Sequence, residues 1–166
     1  MPGKSLREEY ERRFNYYRTH FAEFDPLSQR LFFSLLKAGI TLRFSLEKQM
    51  RSYGITGPAF GVLSLLETVP GRCLPMNDIS RRTWVTPANV TGVVDTLEKK
   101  GFVSRNVHPR DRRVTLVGLT PRGRQRLARI FPRQFIFIRR LFARLKDSEK
   151  RIFMKMLGRF QEGISK

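Results

Sequence analysis

The residues that could do chemistry are gathered between Met76 and Thr120, in MNDISRRTWVTPANVTGVVDTLEKKGFVSRNVHPRDRRVTLVGLT. Their types suit contact with a polyanion. Ala88, Asn89 and Thr91 follow directly on a helix start. Asn pairs bidentately with adenine, and Ala or the Thr methyl can touch thymine. Thr86 and the free amides beside it suit a phosphate. Arg81 and Arg82 come just before, and Gly92 and Thr96 extend the small polar surface. Downstream, Arg105, Arg110, Arg112 and Arg113 surround a turn; such arginines suit a minor groove, where narrow A·T tracts concentrate negative potential.

Three elements must position these groups. Thr86 is a good N-cap, Pro87 fits the first helical position, and Gly101 fits a left-handed helix stop. Between them Val90, Val93, Val94 and Leu97 fall at i, i+3, i+4 and i+7, which predicts one buried stripe. The outward face then carries Asn89, Thr91, Asp95 and Thr96. A shorter helix with Arg81 and Arg82 precedes it. Phe102–Val107 and Val114–Leu119 read as strands around the turn His108–Arg113. Cys73-Leu74 could add a third strand. This is a helix-turn-helix followed by a β-hairpin wing.

The residues Ile55-Thr56 and Leu63, then Thr86, Val90-Thr91, Val94-Asp95 and Leu97-Glu98-Lys99-Lys100-Gly101-Phe102-Val103, then Arg105, Asp111-Arg112-Arg113 and Leu119-Thr120-Pro121-Arg122-Gly123, stand in an order and spacing that resembles the MarR family of bacterial winged-helix regulators. The likeness is close from Ile55 to about Leu127 and looser in the flanks. Ala59, Ile79-Ser80 and Trp84, the last in the inter-helix turn, depart from the family's usual residues. The resemblance implies a homodimer on double-stranded DNA, with Asp111 orienting Arg113. The alternative is that Asp111 and Arg113 only stabilise the turn. Arg105, Arg110 and Arg112 are then backbone or groove contacts. It also implies a pocket for a small aromatic or lipophilic effector, for which Phe33, Arg43, Tyr53 and Phe60 are candidates, Arg43 facing a carboxylate. Peroxide-sensing members carry their cysteine in the first helix, where this chain has none.

Composition agrees with nucleic acid as partner. Lys+Arg number 33 against 14 Asp+Glu, a formal charge of +19, and each phosphate neutralised releases counterions. A membrane surface or an acidic protein is the rival, and part of the excess only keeps helices soluble. No apolar run is long enough to span a bilayer, and the charged start MPGKSLREEYERR lacks a signal-peptide core, so a cytoplasmic, nucleoid-associated protein is expected. His20 and His108 are isolated and Cys73 is the one cysteine, so no metal, no cofactor and no disulfide is expected. Cys73 reads as a buried inert thiol. No nucleophile triad, paired carboxylates or Gly-rich phosphate loop is present, which reads as a non-enzyme.

The flanks predict helices. Lys4–Ala22 carries an aromatic stripe of Tyr10, Phe14, Tyr17 and Phe21. Asp25-Pro26 opens a helix reaching about Tyr53, apolar on two sides and stopped by Gly54. Thr56 caps the next. After Thr120-Pro121, Pro132 predicts a kink or break near Phe131, and Asp147-Ser148 a cap for a last helix. The whole reads as mostly α with a small β-hairpin wing: dimerisation helices in 1–54, the winged helix-turn-helix in 55–120, and further dimerisation helices in 121–166. The function expected is a ligand-responsive dimeric repressor on a pseudo-palindromic operator. The competing expectation is a structural chromosome-coating or silencing-antagonist protein that senses nothing.

Overall fold

A computed structural model describes residues 6–83 and 85–164. The expected helix start at Lys4 and the position of Trp84 lie outside the described residues. The chain divides into two compact units, Met1–Gly54 and Ile55–Lys166.

The first unit contains α1 (Leu6–His20) and α2 (Pro26–Ser52). Asp25 caps α2, its carboxylate accepting from the Leu27 and Ser28 amides at 3.0 and 3.3 Å. Gly54 ends the helix with φ +66°, a conformation that costs glycine nothing. Phe14 is buried, with the rings of Tyr10 and Phe24 centred 4.5 and 5.4 Å away and the Arg30 guanidinium 5.5 Å above it. Of the aromatic stripe, Phe14 is packed inside while Phe21 stays exposed. Along α2, Leu31, Phe32, Leu36, Ile40 and Phe44 stay exposed.

In the second unit α3 (Gly57–Thr68) leads to β1 (Cys73–Pro75), then α4 (Met76–Arg82) and α5 (Pro87–Lys99). β2 (Val103–His108) and β3 (Asp111–Leu119) form the hairpin, and α6 (Pro121–Leu141) and α7 (Asp147–Ile164) follow. The sheet is antiparallel in the order β1-β3-β2, with Leu74 opposite Val117 and Val103 opposite Leu119. Cys73-Leu74 is thus the third strand. Val62, Leu63 and Leu66 of α3, Ile79 of α4, Val90, Val94 and Leu97 of α5, Val117 of β3, and Leu127 and Ile130 of α6 are buried together as the core. Gly123 lets α6 start against the end of α5: a Cβ there would stand 2.1 Å from the Phe102 carbonyl oxygen.

Three expectations need correction. The expected break near Phe131 is absent, since α6 runs as one helix through Pro132. Proline removes only the bond to the Ala128 carbonyl, and Leu127, Ile130 and Gln134, all buried, hold the helix on both sides. Asp147 is the first residue of α7 rather than its cap; the Glu149 carboxylate reaches back to accept from the Lys146 amide at 2.7 Å. The hairpin is also longer than expected. β3 begins at Asp111, which pairs with His108, so Arg112 and Arg113 lie in a strand and not in a loop.

Candidate nucleic-acid interface

The outward face of α5 depends on how the helix is started and stopped. At its start, Thr86 adopts extended backbone and its carbonyl accepts from Asn89 and Val90 at 2.9 and 3.1 Å. Its hydroxyl makes no capping bond, so the expected side-chain cap is absent and the group stays at the surface. At the other end Gly101, at φ +69°, donates to the Glu98 carbonyl, and Phe102 donates to that of Leu97. This pair of bonds satisfies two terminal carbonyls and turns the chain directly into β2.

With Val90, Val94 and Leu97 inward, Pro87, Ala88, Asn89, Thr91, Gly92 and Thr96 are all exposed. A Cβ on Gly92 would meet nothing within 4 Å, so this part of the face is open. Thr96 turns its hydroxyl back onto the Gly92 carbonyl at 2.9 Å, which leaves its methyl as the outward group. Arg81 and Arg82, in the last turn of α4, are exposed as well. The Thr83 hydroxyl ties off that helix by donating to the Ile79 carbonyl at 2.7 Å.

The wing is set by local bonds around Pro109-Arg110. The His108 Nδ1 accepts from the Arg110 amide at 3.2 Å, and Asp111 Oδ1 accepts from the Arg113 amide at 3.0 Å. Asp111 therefore fixes the backbone of Arg113 and not its guanidinium. Arg110, Arg112 and Arg113 are exposed, and no carboxylate among the described residues pairs with them. A cleft of about 460 Å³ runs between the start of α4, α5 and the wing, and Asn77, Thr91, Arg105 and Arg113 line it. Helix and wing thus share one concave surface.

Arg105 differs from the other site arginines. Its Nη2 lies 2.6 Å from Asp95 Oδ1 and its Nη1 lies 2.6 Å from Glu98 Oε2, while its amide donates to Glu98 Oε1 at 3.1 Å. Burial works against the guanidinium's charge, but the bonds to Asp95 and Glu98 prevail and raise its pKa above the usual arginine value. Two carboxylates one helical turn apart on α5 thus clamp β2. Arg105 braces α5 against the wing strand β2, and its charge is already answered by two carboxylates. The sequence did carry a signal for this: Asp95 and Glu98 are the two acids of α5 and lie at i, i+3.

The effector candidates are divided between the units. Phe33, Arg43 and Tyr53 belong to the first unit and Phe60 to the second. Phe33 and Tyr53 are twenty positions apart on one helix and its cap, about 30 Å, so one small molecule does not touch both within a chain. Arg43 pairs with Glu47 at 3.8 Å and lies 5.9 Å from the Phe44 ring centre. Tyr53 is buried and accepts from Gln49 Nε2. Phe60 packs edge-on to Phe131 at 5.8 Å. A cavity of about 700 Å³ in the first unit does include Phe33, with Tyr10, Arg13, Phe14, Tyr17 and Phe24. Cys73 sits in β1 opposite Gly118, and partial burial pushes its thiol pKa up, away from thiolate chemistry. Among the described residues no group of three His, Cys, Asp or Glu side chains could hold a metal ion, and no helix is long and apolar enough to cross a membrane.

Comparison with known proteins meets this geometry. The MarR family model matches residues 53–114, the segment from the end of α2 to the middle of β3. The HTH-type transcriptional repressor YetL of Bacillus subtilis (strain 168) is 33% identical over 145 residues, covering 87% of each chain. Among solved structures, Sco3205 from Streptomyces coelicolor, a MarR family transcriptional regulator in complex with DNA, aligns with TM-score 0.79 and 26% identity over 84% of this chain and 89% of that one. BpsR of Bordetella bronchiseptica, whose DNA binding is regulated by 6-hydroxynicotinic acid, aligns with TM-score 0.66 and 25% identity over 77% and 96%. With its exposed α5 face, its three-stranded wing sheet and these relatives, the chain belongs to the MarR family of DNA-binding transcriptional regulators.

Proposed function

We propose that the chain acts as a homodimeric repressor, with the two α5 helices of the dimer in successive major grooves of a pseudo-palindromic operator. The observation that carries this reading is the shared cleft, where Thr91 on α5 and Arg113 on the wing face one space. Asn89 and Thr91 meet base edges, the helix start meets phosphate, and Arg110, Arg112 and Arg113 meet the minor groove and backbone. Dimerisation is supported by the apolar surface left open on the flanking helices. Leu31, Phe32, Leu36 and Phe44 on α2, Phe135 and Ile138 on α6, and Ile152, Met156 and Phe160 on α7 are all exposed. A soluble monomer rarely leaves so many large apolar side chains in water.

An effector that lifts the repressor from DNA is part of the proposal. The relation to BpsR, regulated by 6-hydroxynicotinic acid, supports an aromatic acid as its class. The test is genomic footprinting of the purified protein with and without a panel of aromatic acids. A few sharp sites with half-sites about 10 base pairs apart, weakened by one of the acids, are expected. Diffuse coverage, unchanged by any of them, refutes the reading and favours a chromosome-coating role.

A further inference from the structure

We propose that α6 carries a second DNA-binding surface, an arginine ridge that holds the phosphate backbone of a duplex segment other than the one read by α5. The helix has seven arginines and neither Asp nor Glu in its 21 residues. Their spacing matters more than their number. Arg122, Arg126, Arg129 and Arg133 recur at i, i+4, i+7 and i+11, and Arg140 continues the line. At about 100° per residue they fall within a wedge of roughly 60° and extend for about 27 Å. One strand of a duplex presents about eight phosphates over that length.

The core and the apolar face lie on other sides of the helix, although Arg126 is half-buried and Arg122 packs on Phe102. The buried residues Gly123, Leu127, Ile130 and Gln134 lie about a quarter turn away, and Phe131, Phe135 and Ile138 lie nearly opposite. A partner protomer seated on the Phe135 side would face away from the ridge, which is flanked by exposed Ile136. Arg122, Arg129, Arg133 and Arg140 are exposed. No carboxylate among the described residues pairs with Arg129, Arg133 or Arg140, whereas Arg124, off the ridge, is held by Glu67 at 3.2 Å.

The ridge is also remote from the reading end of α5. It begins at Arg122, whose guanidinium lies 5.8 Å from the Phe102 ring centre at the C-terminal end of that helix. Asn89 and Gly101 are about 18 Å apart along the helix. The occupant is nucleic acid rather than an acidic protein, because no apolar side chain falls inside the wedge from Arg122 to Arg133. A protein interface is built around an apolar centre, whereas a phosphate backbone asks only for spaced positive charge.

The test is the triple variant Arg129→Gln/Arg133→Gln/Arg140→Gln in the full chain, beside the matching triple Lys variant. Arg122 and Arg126 are kept because both interact within the fold. On random-sequence duplex, the slope of log K against log salt should fall by about 0.9 for each phosphate that the Gln variant no longer neutralises, and the Lys variant should keep it. Capture of a labelled second duplex by protein already bound to an immobilised operator should fail with Gln and persist with Lys. Discrimination between operator and random DNA at fixed salt should not worsen, which separates this test from that of the repressor reading. An unchanged slope and unchanged capture in a Gln variant of normal melting temperature would overturn the proposal. So would loss of polyglutamate binding without any change on DNA, which would assign the ridge to an acidic protein. If the Gln variant misfolds, the Lys variant decides: loss of slope and capture there, in a folded protein, also overturns it.

Discussion

Replacing Arg105 by alanine separates its two conceivable roles, because a brace and a phosphate contact fail in different observables. The guanidinium makes two charge-assisted bonds of 2.6 Å, to Asp95 and Glu98. Fully buried, each bond would contribute about 1.5–3 kcal/mol. The side chains are 24% exposed for Arg105, 47% for Asp95 and 39% for Glu98, so solvent screening pulls the figure toward the surface-pair range of about 0.2–1 kcal/mol each. A combined loss of about 1–2 kcal/mol follows, or roughly 3–7 °C in melting temperature for a chain of this size. Asp95 and Glu98 are left half in water, so no large penalty from stranded charge is added. Operator affinity should fall moderately as the wing loses its brace. The salt dependence should not move, since the arginine's charge is already paired with Asp95 and Glu98. The assays are thermal denaturation and a salt titration on operator DNA. An Arg105→Ala protein with an unchanged melting temperature and a slope reduced by about 0.9 per chain would show that Arg105 binds phosphate and that the brace is dispensable.

Four further outcomes are expected. Asn89→Ala should cost about 1–3 kcal/mol per half-site on operator and relax preference at one base position while leaving random-DNA affinity nearly unchanged; equal weakening on both DNAs would remove Asn89 as the reader. Arg113→Ala should weaken binding to every sequence and lower the salt slope, as the same titration on operator and random DNA would record. Gly123→Ala should destabilise by about 1–3 kcal/mol or more in urea unfolding, because its Cβ would lie 2.1 Å from a backbone oxygen that cannot simply rotate away. The Ser28 hydroxyl, and then the Leu27 and Ser28 amides, hold the Asp25 carboxyl below its ordinary pKa. A depressed carboxyl stabilises above its unfolded pKa and loses that contribution as pH falls through the folded value. Hydrogen exchange at the Leu27 and Ser28 amides should therefore show intact capping above the usual aspartate range and fraying below it.

The parts of this fold that could be read in the sequence are those whose causes are local. Pro87 and Gly101 mark the ends of α5 because a first-turn proline and left-handed backbone are properties of single residues, and Val90, Val94 and Leu97 follow from helical period, although Thr86 makes no side-chain cap and Val93 is only half-buried. The third strand was legible at Cys73-Leu74 through its apolar, turn-bounded character. What escaped depends on residues meeting across the fold. The inward turn of Arg105 needs β2 to pass Asp95 and Glu98 on α5, and arginine type alone reads as a DNA contact. The continuity of α6 at Pro132 rests on buried neighbours on both sides of the proline. Asp111 reads from the sequence either as orienting Arg113 or as stabilising the turn, and its bond to the Arg113 amide is local; the longer hairpin comes instead from the pairing of Asp111 with His108 across the strands. The distance between Phe33 and Tyr53 shows the same limit, since separation along one long helix is not a matter of residue type.

The sheet order has a consequence for how such a protein can change its target. Pro75, the last residue of β1, pairs with Leu116, and Val103, the first of β2, pairs with Leu119. The segment from Met76 to Phe102, holding both α4 and α5, leaves the sheet on one side of β3 and rejoins it on the other. Its two ends are separated by about 10 Å along the strand and about 10 Å across it. The helix pair is a closed ring clasped by one central strand, with the Arg105 brace as a second tie. The ring is maintained from inside, by Ile79, Val90, Val94 and Leu97. The side chains of its outer residues stay out of that core: Ala88, Asn89, Thr91 and Gly92 are exposed, and a Cβ added at Gly92 meets open space. On the reading proposed above, these four positions are an exchangeable face on a fixed mount. Substitution there can move the protein from one operator to another without the fold having to be selected again.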